Sequence, residues 1–364
     1  MINMAKPVIE AEEKKLIAEV LDSGVVAAGK YVTEFENSFA KYTGAKHGVA
    51  CANGTVSLHA SLLALGIKPG DKVATTPFSF IASANSILHA NAVPVFADID
   101  PVTYNICLES LEKLLEADKE IKAVLIVHLF GLMCDMDAIL GLQRKYGFKL
   151  IEDCAQAHGA EHNGRRAGSL GDASSFSFYA TKNAMTGEGG MVLTNDASTD
   201  AALRMIMNHG RSSHNSHDIL GYNYRLTNLA AAIGVAQVDK LDKWNDKRIA
   251  TATAYNNAFS GLDFLTTPTV PAGFKHVFHQ YTLRIKPELR ADFMAHLNAN
   301  GVGCGIFYPH AIYEHPFYKK MGFAAGTSPV AEQIVKEVVS IPVHPSLSDE
   351  DVQKIIDAVT SFQA

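Results

Sequence analysis

Lys182 follows the aromatic run Ser174-Ser175-Phe176-Ser177-Phe178-Tyr179 and precedes the glycine-rich turn Gly187-Glu188-Gly189-Gly190. Glycines let a backbone approach a ligand closely, and a lysine partly withdrawn from water loses basicity and becomes nucleophilic. Upstream, Ile151-Glu152-Asp153-Cys154-Ala155-Gln156 reads as an apolar strand ending in acids. Ligands of open α/β sheets sit just beyond the carboxyl ends of strands, which is where Asp153 falls. Gly54 and Thr55 open the helical segment that follows Asn53. They put backbone N–H groups and a hydroxyl at the positive end of a helix dipole, a natural phosphate site. The segment Thr76-Pro77-Phe78-Ser79-Phe80-Ile81 offers an aromatic to cover a flat cofactor ring. Taken singly, these are a surface lysine, a turn aspartate, a plain N-cap and a core phenylalanine.

Taken together they are the parts that pyridoxal 5'-phosphate (PLP) chemistry requires. An acid keeps the pyridine nitrogen protonated so that the ring accepts electrons. A lysine holds the cofactor as a Schiff base, is released by the incoming amine, and then moves protons as a general base. The residues therefore predict a PLP enzyme with Lys182 as Schiff-base lysine and Asp153 as its acid partner.

The elements that must position these groups alternate. Helical spacing runs over Glu10–Leu21, Val56–Leu65 and Asp135–Tyr146. Short apolar strands are expected at Lys72–Thr75, Pro94–Phe96, Ala123–Val127, Lys149–Ile151, Ser175–Tyr179 and Met191–Leu193. Strands separated by helices imply an α/β fold, a mainly parallel sheet sandwiched by helices. One long apolar-striped helix is expected from Asn228 to Leu241, continuing towards Tyr255. A strand (Tyr281–Ile285), a helix (Arg290–Asn298), a Gly/Pro-punctuated stretch and a last helix (Ser348–Phe362) follow. This organisation predicts a large PLP-binding domain over residues 1–240 and a small C-terminal α+β domain over 241–364.

The 364 residues, 48% hydrophobic and 19% charged, suit a globular chain with a sizeable core. A net charge of -6 argues against a nucleic-acid or anionic-membrane binder, so any anionic ligand must be held by local groups. No stretch approaches the ~18 uninterrupted apolar residues of a membrane span. Cys51, Cys107, Cys134, Cys154 and Cys304 are scattered and odd in number, which reads as free thiols and a cytoplasmic protein. His214 and His217 lack a second spaced ligand pair, so no metal is expected. His158 reads as a packing histidine and Cys154 as a small buried filler.

The chain resembles the sugar-nucleotide aminotransferases of the DegT/DnrJ/StrS group, fold-type I PLP enzymes. The likeness runs almost end to end, through Ala5-Lys6-Pro7, Asn53-Gly54-Thr55, Glu152-Asp153-Cys154-Ala155-Gln156, Lys182-Asn183, Gly221-Tyr222-Asn223-Tyr224-Arg225 and Ile341-Pro342. By that resemblance Gln156 lies near the ring 3-hydroxyl, Phe80 stacks on the ring, and Gly54, Thr55, Val56 and Ser177 hold the phosphate. Asn223 matches a residue that reaches the phosphate from the neighbouring subunit, which implies a homodimer with shared sites. Retention of Lys182, where some relatives have histidine and dehydrate sugars, implies transamination. The implied reaction takes an amino group from L-glutamate to a nucleotide-linked keto-sugar, with C4 of a 4-keto-6-deoxyhexose expected. C3 of such a sugar, a cyclitol ketone, and a non-catalytic regulatory protein are the alternatives. On the substrate side, Arg211 is the candidate for the diphosphate or the glutamate carboxylate, with Tyr308 and His310 lining the sugar pocket. Phe307 and Tyr313 replace histidines common in relatives, which leaves the sugar open.

Overall fold

The computed structural model describes residues 1–363. Seven strands form the main sheet: β1 (His47–Cys51), β2 (Lys72–Thr75), β3 (Val93–Phe96), β4 (Ile121–Val127), β5 (Lys149–Asp153), β6 (Ala173–Ser177) and β7 (Gly190–Thr194). Their order is β1-β7-β6-β5-β4-β2-β3. The pairs β3–β2, β2–β4, β4–β5 and β5–β6 are parallel, while β7 runs antiparallel to both β6 and β1. The sheet is thus mainly parallel, as the alternation of elements predicts.

Burial explains why so few strands alternate. Ala123 to Val127 in β4 and all of β6 and β7 are buried, because helices cover both faces. One face packs against the helix Lys30–Thr43, whose Phe35 and Phe39 rings reach Phe178 and Phe176 with centroids 4.8 Å apart. That helix has no counterpart among the expected elements. The helix Asn228–Val238 packs beside it; the side chain of Asn228 accepts the N–H of Tyr31 and donates to the carbonyl of Val25.

A second sheet orders the strands Leu265–Thr266, Tyr281–Ile285 and Val338–Ile341, all antiparallel. The helices Leu241–Phe259, Arg290–Ala299 and Asp349–Thr360 bury Tyr255, Phe293 and Ile355 with Leu283 of its central strand. Here the sequence reading needs correction. The single helix expected from Asn228 is two, Asn228–Val238 and Leu241–Phe259, broken at Asp239-Lys240. No glycine or proline marks the break. Lys240 instead turns its ammonium onto Glu13 at 2.9 Å and Glu10 at 3.0 Å, a tertiary tie that local spacing does not display.

Candidate active site

The carboxyl ends of β1, β2, β4, β5 and β6 converge on one edge of the sheet, and the amino end of β7 returns to the same place. Asp153 is the last residue of β5, and Ser177 the last of β6, the adjacent strand. Lys182 follows in the connection to β7; its N–H donates to the Tyr179 carbonyl at 2.9 Å. Beneath this connection the rings of Phe35, Phe39, Phe176 and Phe178 form a packed wall. Lys182 and Asp153 are thereby brought together by neighbouring strands of one sheet.

Their surroundings set their charges. Burial lowers Lys182 from 10.5 to about 8, partly opposed by the Asp153 carboxylate. Asp153 is 4% exposed. Burial raises its pKa, opposed by a hydrogen bond from Ser83 Oγ (2.8 Å), by the Ala155 N–H (3.1 Å) and by Lys182. Ser83 Oγ is itself 2.9 Å from Ser79 Oγ. A buried carboxylate held by so few donors is a ready counter-charge for a cation arriving from the site.

The helix Gly54–Ala64 starts at the end of β1. Asn53 caps it by accepting the Val56 N–H at 3.0 Å. That bond takes up the Val56 amide, so among the described residues only the Gly54 and Thr55 amides of this turn remain without an acceptor. Val56 was expected to hold phosphate as well, and its N–H is already engaged. A Cβ on Gly54 would lie 2.7 Å from Ser177 Cβ, and one on Gly190 would lie 2.3 Å from the Asn53 carbonyl oxygen. The cup is closed by direct backbone approach, which only glycine permits at these places.

Gln156 is buried beside Asp153. Its Oε1 accepts the Phe130 N–H at 2.7 Å, so its Nε2 is left to donate to Tyr308 Oη at 3.0 Å. Phe130 holds a positive φ of 57° to present that N–H. Phe80 is 56% exposed, with its ring centroid 6.1 Å from that of Tyr308. Tyr308, expected at the sugar pocket, thus stands between Gln156, its hydrogen-bond partner, and the exposed Phe80 ring.

Other expected residues fall elsewhere. Arg211 is exposed on the hairpin Arg211–Ser213/Ser216–His217. His214 and His217 sit on the same hairpin, His214 against Asn215 and His217 against the His209 carbonyl. His310 is exposed, its ring 5.5 Å from His315. Tyr313 is buried and donates to Glu332 at 2.7 Å. Asn223 is exposed, beside Tyr222 and Tyr224, whose rings stack at 4.8 Å. Arg225 donates to Asn208 at 2.8 Å. His158 is fully buried among Phe39, Phe176 and Phe178, and burial lowers it to about 3, so its imidazole is neutral.

Two supporting residues were not singled out from the sequence. Ser83 lies in the helix Ala82–His89, and no motif marks it. Glu152, adjacent to Asp153, points to the opposite face. It accepts N–H groups from Gly168, Leu170 and Gly171 at 2.7–3.1 Å and His128 Nε2–H at 3.0 Å. Burial pushes this carboxyl up, and these donors bring it below its ordinary value. The Cys134 N–H occupies His128 Nδ1 at 3.0 Å, which leaves the ring proton on Nε2. His128, Glu152 and Cys154 are the only potential metal ligands that cluster among the described residues. Burial pushes the Cys154 thiol up to about 12, against thiolate coordination, and the other two groups are spent on each other.

Free amides at a helix start, a buried acid at a strand end and a lysine of lowered basicity are the groups that a PLP-dependent transferase requires. The model of the DegT/DnrJ/EryC1/StrS aminotransferase family matches residues 7–360. The chain belongs to that family, and it is an aminotransferase whose cofactor is pyridoxal phosphate. GDP-perosamine synthase of Caulobacter vibrioides is 37% identical over 98% of this chain and 97% of its own. The UDP-N-acetyl-3-dehydro-alpha-D-glucosamine 3-aminotransferase of Acidithiobacillus ferrooxidans is 39% identical over 94% and 91%. A pleiotropic regulatory protein of Geobacillus stearothermophilus is 39% identical over 97% and 95%. The solved structure of S. venezuelae DesV in complex with ketimine intermediate superposes with a TM-score of 0.92, at 35% identity, over 96% of this chain and 93% of that one.

Proposed function

We propose that this enzyme moves an amino group from L-glutamate to the keto group of a nucleotide-linked sugar, at C4 of a 4-keto-6-deoxyhexose. The observation that carries the amino-transfer chemistry is the pairing of a Lys182 of lowered basicity with a buried Asp153 on adjacent strands. The names of the Caulobacter and Acidithiobacillus relatives support a nucleotide-sugar acceptor. Bound pyridoxal phosphate supplies an electron sink for the reacting carbon. Asp153 would hold the proton on the ring nitrogen, with Ser83 orienting its carboxylate. The Gly54 and Thr55 amides, the Thr55 hydroxyl and Ser177 would receive the phosphate, and Gln156 and Phe80 would fix the ring. Lys182 Nζ would carry the proton between carbon atoms in both halves of the reaction. Tyr308 and Phe80 would narrow the entrance against water.

A homodimer fits this reading. Asn223 is exposed on a segment that follows Ile219 and Leu220, apolar side chains 41% and 81% exposed. A second copy would cover them and receive Asn223 into its phosphate cup. Five free cysteines suit a cytoplasmic enzyme, and no helix among the described residues is long and apolar enough to cross a membrane.

Purified protein should take up PLP and show the visible band of a lysine-bound cofactor, which Lys182→Ala abolishes. Assay of nucleotide-linked 4-keto-sugars, 3-keto-sugars and scyllo-inosose with glutamate then ranks the acceptors. Preferred turnover of a 3-keto-sugar would replace the C4 assignment, as the Acidithiobacillus name suggests. The Geobacillus name favours a second reading, a regulatory protein on the same fold. Absence of glutamate-to-ketone transfer across the whole panel would support it.

A further inference from the structure

Arg248, in the helix Leu241–Phe259, is 5% exposed and has no carboxylate partner among the described residues. Its Nη1 donates to the carbonyls of Phe278 and His279, at 3.2 and 3.4 Å, and its Nε has no partner at all. Arg166, Arg204 and Arg284 each meet a carboxylate within 3.2 Å. A guanidinium taken out of water without a counter-charge is costly, because backbone carbonyls offer only partial charge in return. Such a group is a standing demand for an anion.

The same cavity identifies the anion. Arg248 lines it together with Lys6, Pro7, Lys182, Asn183 and Trp244. Lys6 is exposed and meets no carboxylate among the described residues. His279 feels the charges of both Lys182 and Arg248, and its Nδ1 is 3.1 Å from Asn183 Oδ1. The Asn183 amide nitrogen is spent on Asn245 and Val277, so Asn183 Oδ1 accepts and His279 Nδ1 carries the proton. Burial and the charges of Lys182 and Arg248 keep that imidazole neutral. The cavity therefore presents two cations, the buried Arg248 and the exposed Lys6, beside the lysine at which an incoming amine must react. A molecule with its amino group at Lys182 and a carboxylate within one small cavity of it is an amino acid.

We propose that Arg248, assisted by Lys6, binds a carboxylate of the amino donor. This assignment rests on the aminotransferase reading and replaces exposed Arg211 as the donor's anchor. A planar guanidinium can meet a carboxylate through two parallel hydrogen bonds, which a lysine cannot reproduce.

The test uses cofactor-loaded full-length enzyme, wild type and the variants Arg248→Met and Arg248→Lys. Glutarate, a dicarboxylate without an amino group, is titrated against each, read by the visible band and by calorimetry. Glutarate should bind the wild type. Arg248→Met should weaken it about tenfold or more, with Arg248→Lys intermediate. The KM for glutamate should rise in step, while single turnover of the pyridoxamine-loaded enzyme with keto-sugar stays within about twofold. Equal glutarate affinity in wild type and variants overturns the assignment, as does an equal loss in both half-reactions. If Arg248→Met fails to fold, Arg248→Lys decides alone: unchanged glutarate affinity overturns. A loaded wild type indifferent to glutarate overturns the donor site and leaves the aminotransferase reading intact. A wild type that never takes up PLP overturns both.

Discussion

The lysine on which the chemistry depends should be a burden to the protein without its cofactor. Burial lowers Lys182 from 10.5 to about 8, so below pH 8 the folded chain holds an ammonium in a site that disfavours it. A fall of that size is worth about 3 kcal/mol. Replacing Lys182 by methionine removes this cost, in which the support of the Asp153 carboxylate is already counted, so the net gain is about 3 kcal/mol. For 364 residues, at roughly 2 cal/mol/K per residue, that gain raises Tm by about 4 °C. The sign with pH follows from the protons bound. Between about pH 8 and 10.5 the unfolded chain binds more protons than the folded one, so wild-type stability climbs over that window. The advantage of Lys182→Met is therefore full at pH 7 and vanishes by about pH 10.5. Thermal unfolding of the two apoproteins at equal concentration, at pH 7 and 9.5, measures it. A Lys182→Met apoprotein no more stable than wild type at pH 7, or an advantage that grows with pH, would refute the reasoning.

Three further outcomes follow from the geometry. Gly190→Ala drives a Cβ into the Asn53 carbonyl, which is backbone and gives little, and should weaken PLP uptake about tenfold at a cost of ~1–3 kcal/mol, as equilibrium titration of the apoprotein would show. Glu152→Ala strands the His128 Nε2–H and three amides in the interior and should lower unfolding free energy by ~3–5 kcal/mol, read as a shift in the urea midpoint. Asp153→Asn should abolish most turnover. It should also lower the pH midpoint for PLP reloading of Lys182 still further, because the carboxylate that supports the ammonium is gone; stopped-flow uptake against pH tests this.

The parts of the site that the sequence displayed are those held by short-range grammar. Asp153 ends an apolar strand, Gly54 opens a helix after Asn53, and Lys182 sits between an aromatic strand and a glycine turn, so local pattern and position coincide. The strand Lys72–Thr75 is read to the residue for the same reason. The resemblance supplied Gln156 and Phe80, for which spacing alone had no argument. What stayed hidden depends on partners far along the chain. Ser83 matters only because its helix lies over the end of β5, 70 residues away. Glu152 looks like a duplicate acid until three amides from the 168–171 turn close on it. Arg248 looks like one more charge on a polar helix until the Phe278 and His279 carbonyls bury it.

The antiparallel β7 has a consequence for how the chain acquires its cofactor. Residues 190–194 lie between β6 and the strand of residues 47–51, joining segments more than a hundred residues apart. The cup around Gly54 touches both Ser177 and Gly190, so it exists only once this insertion is complete. Such long-range closure is slow, since the entropy of the loop must be lost before the contacts form. A growing chain must therefore clear the ribosome well past Thr194 before it can retain phosphate. Cofactor capture then reports a late event in folding, and PLP added during refolding should raise the final yield of native protein without changing the earliest collapse or the rate of sheet closure.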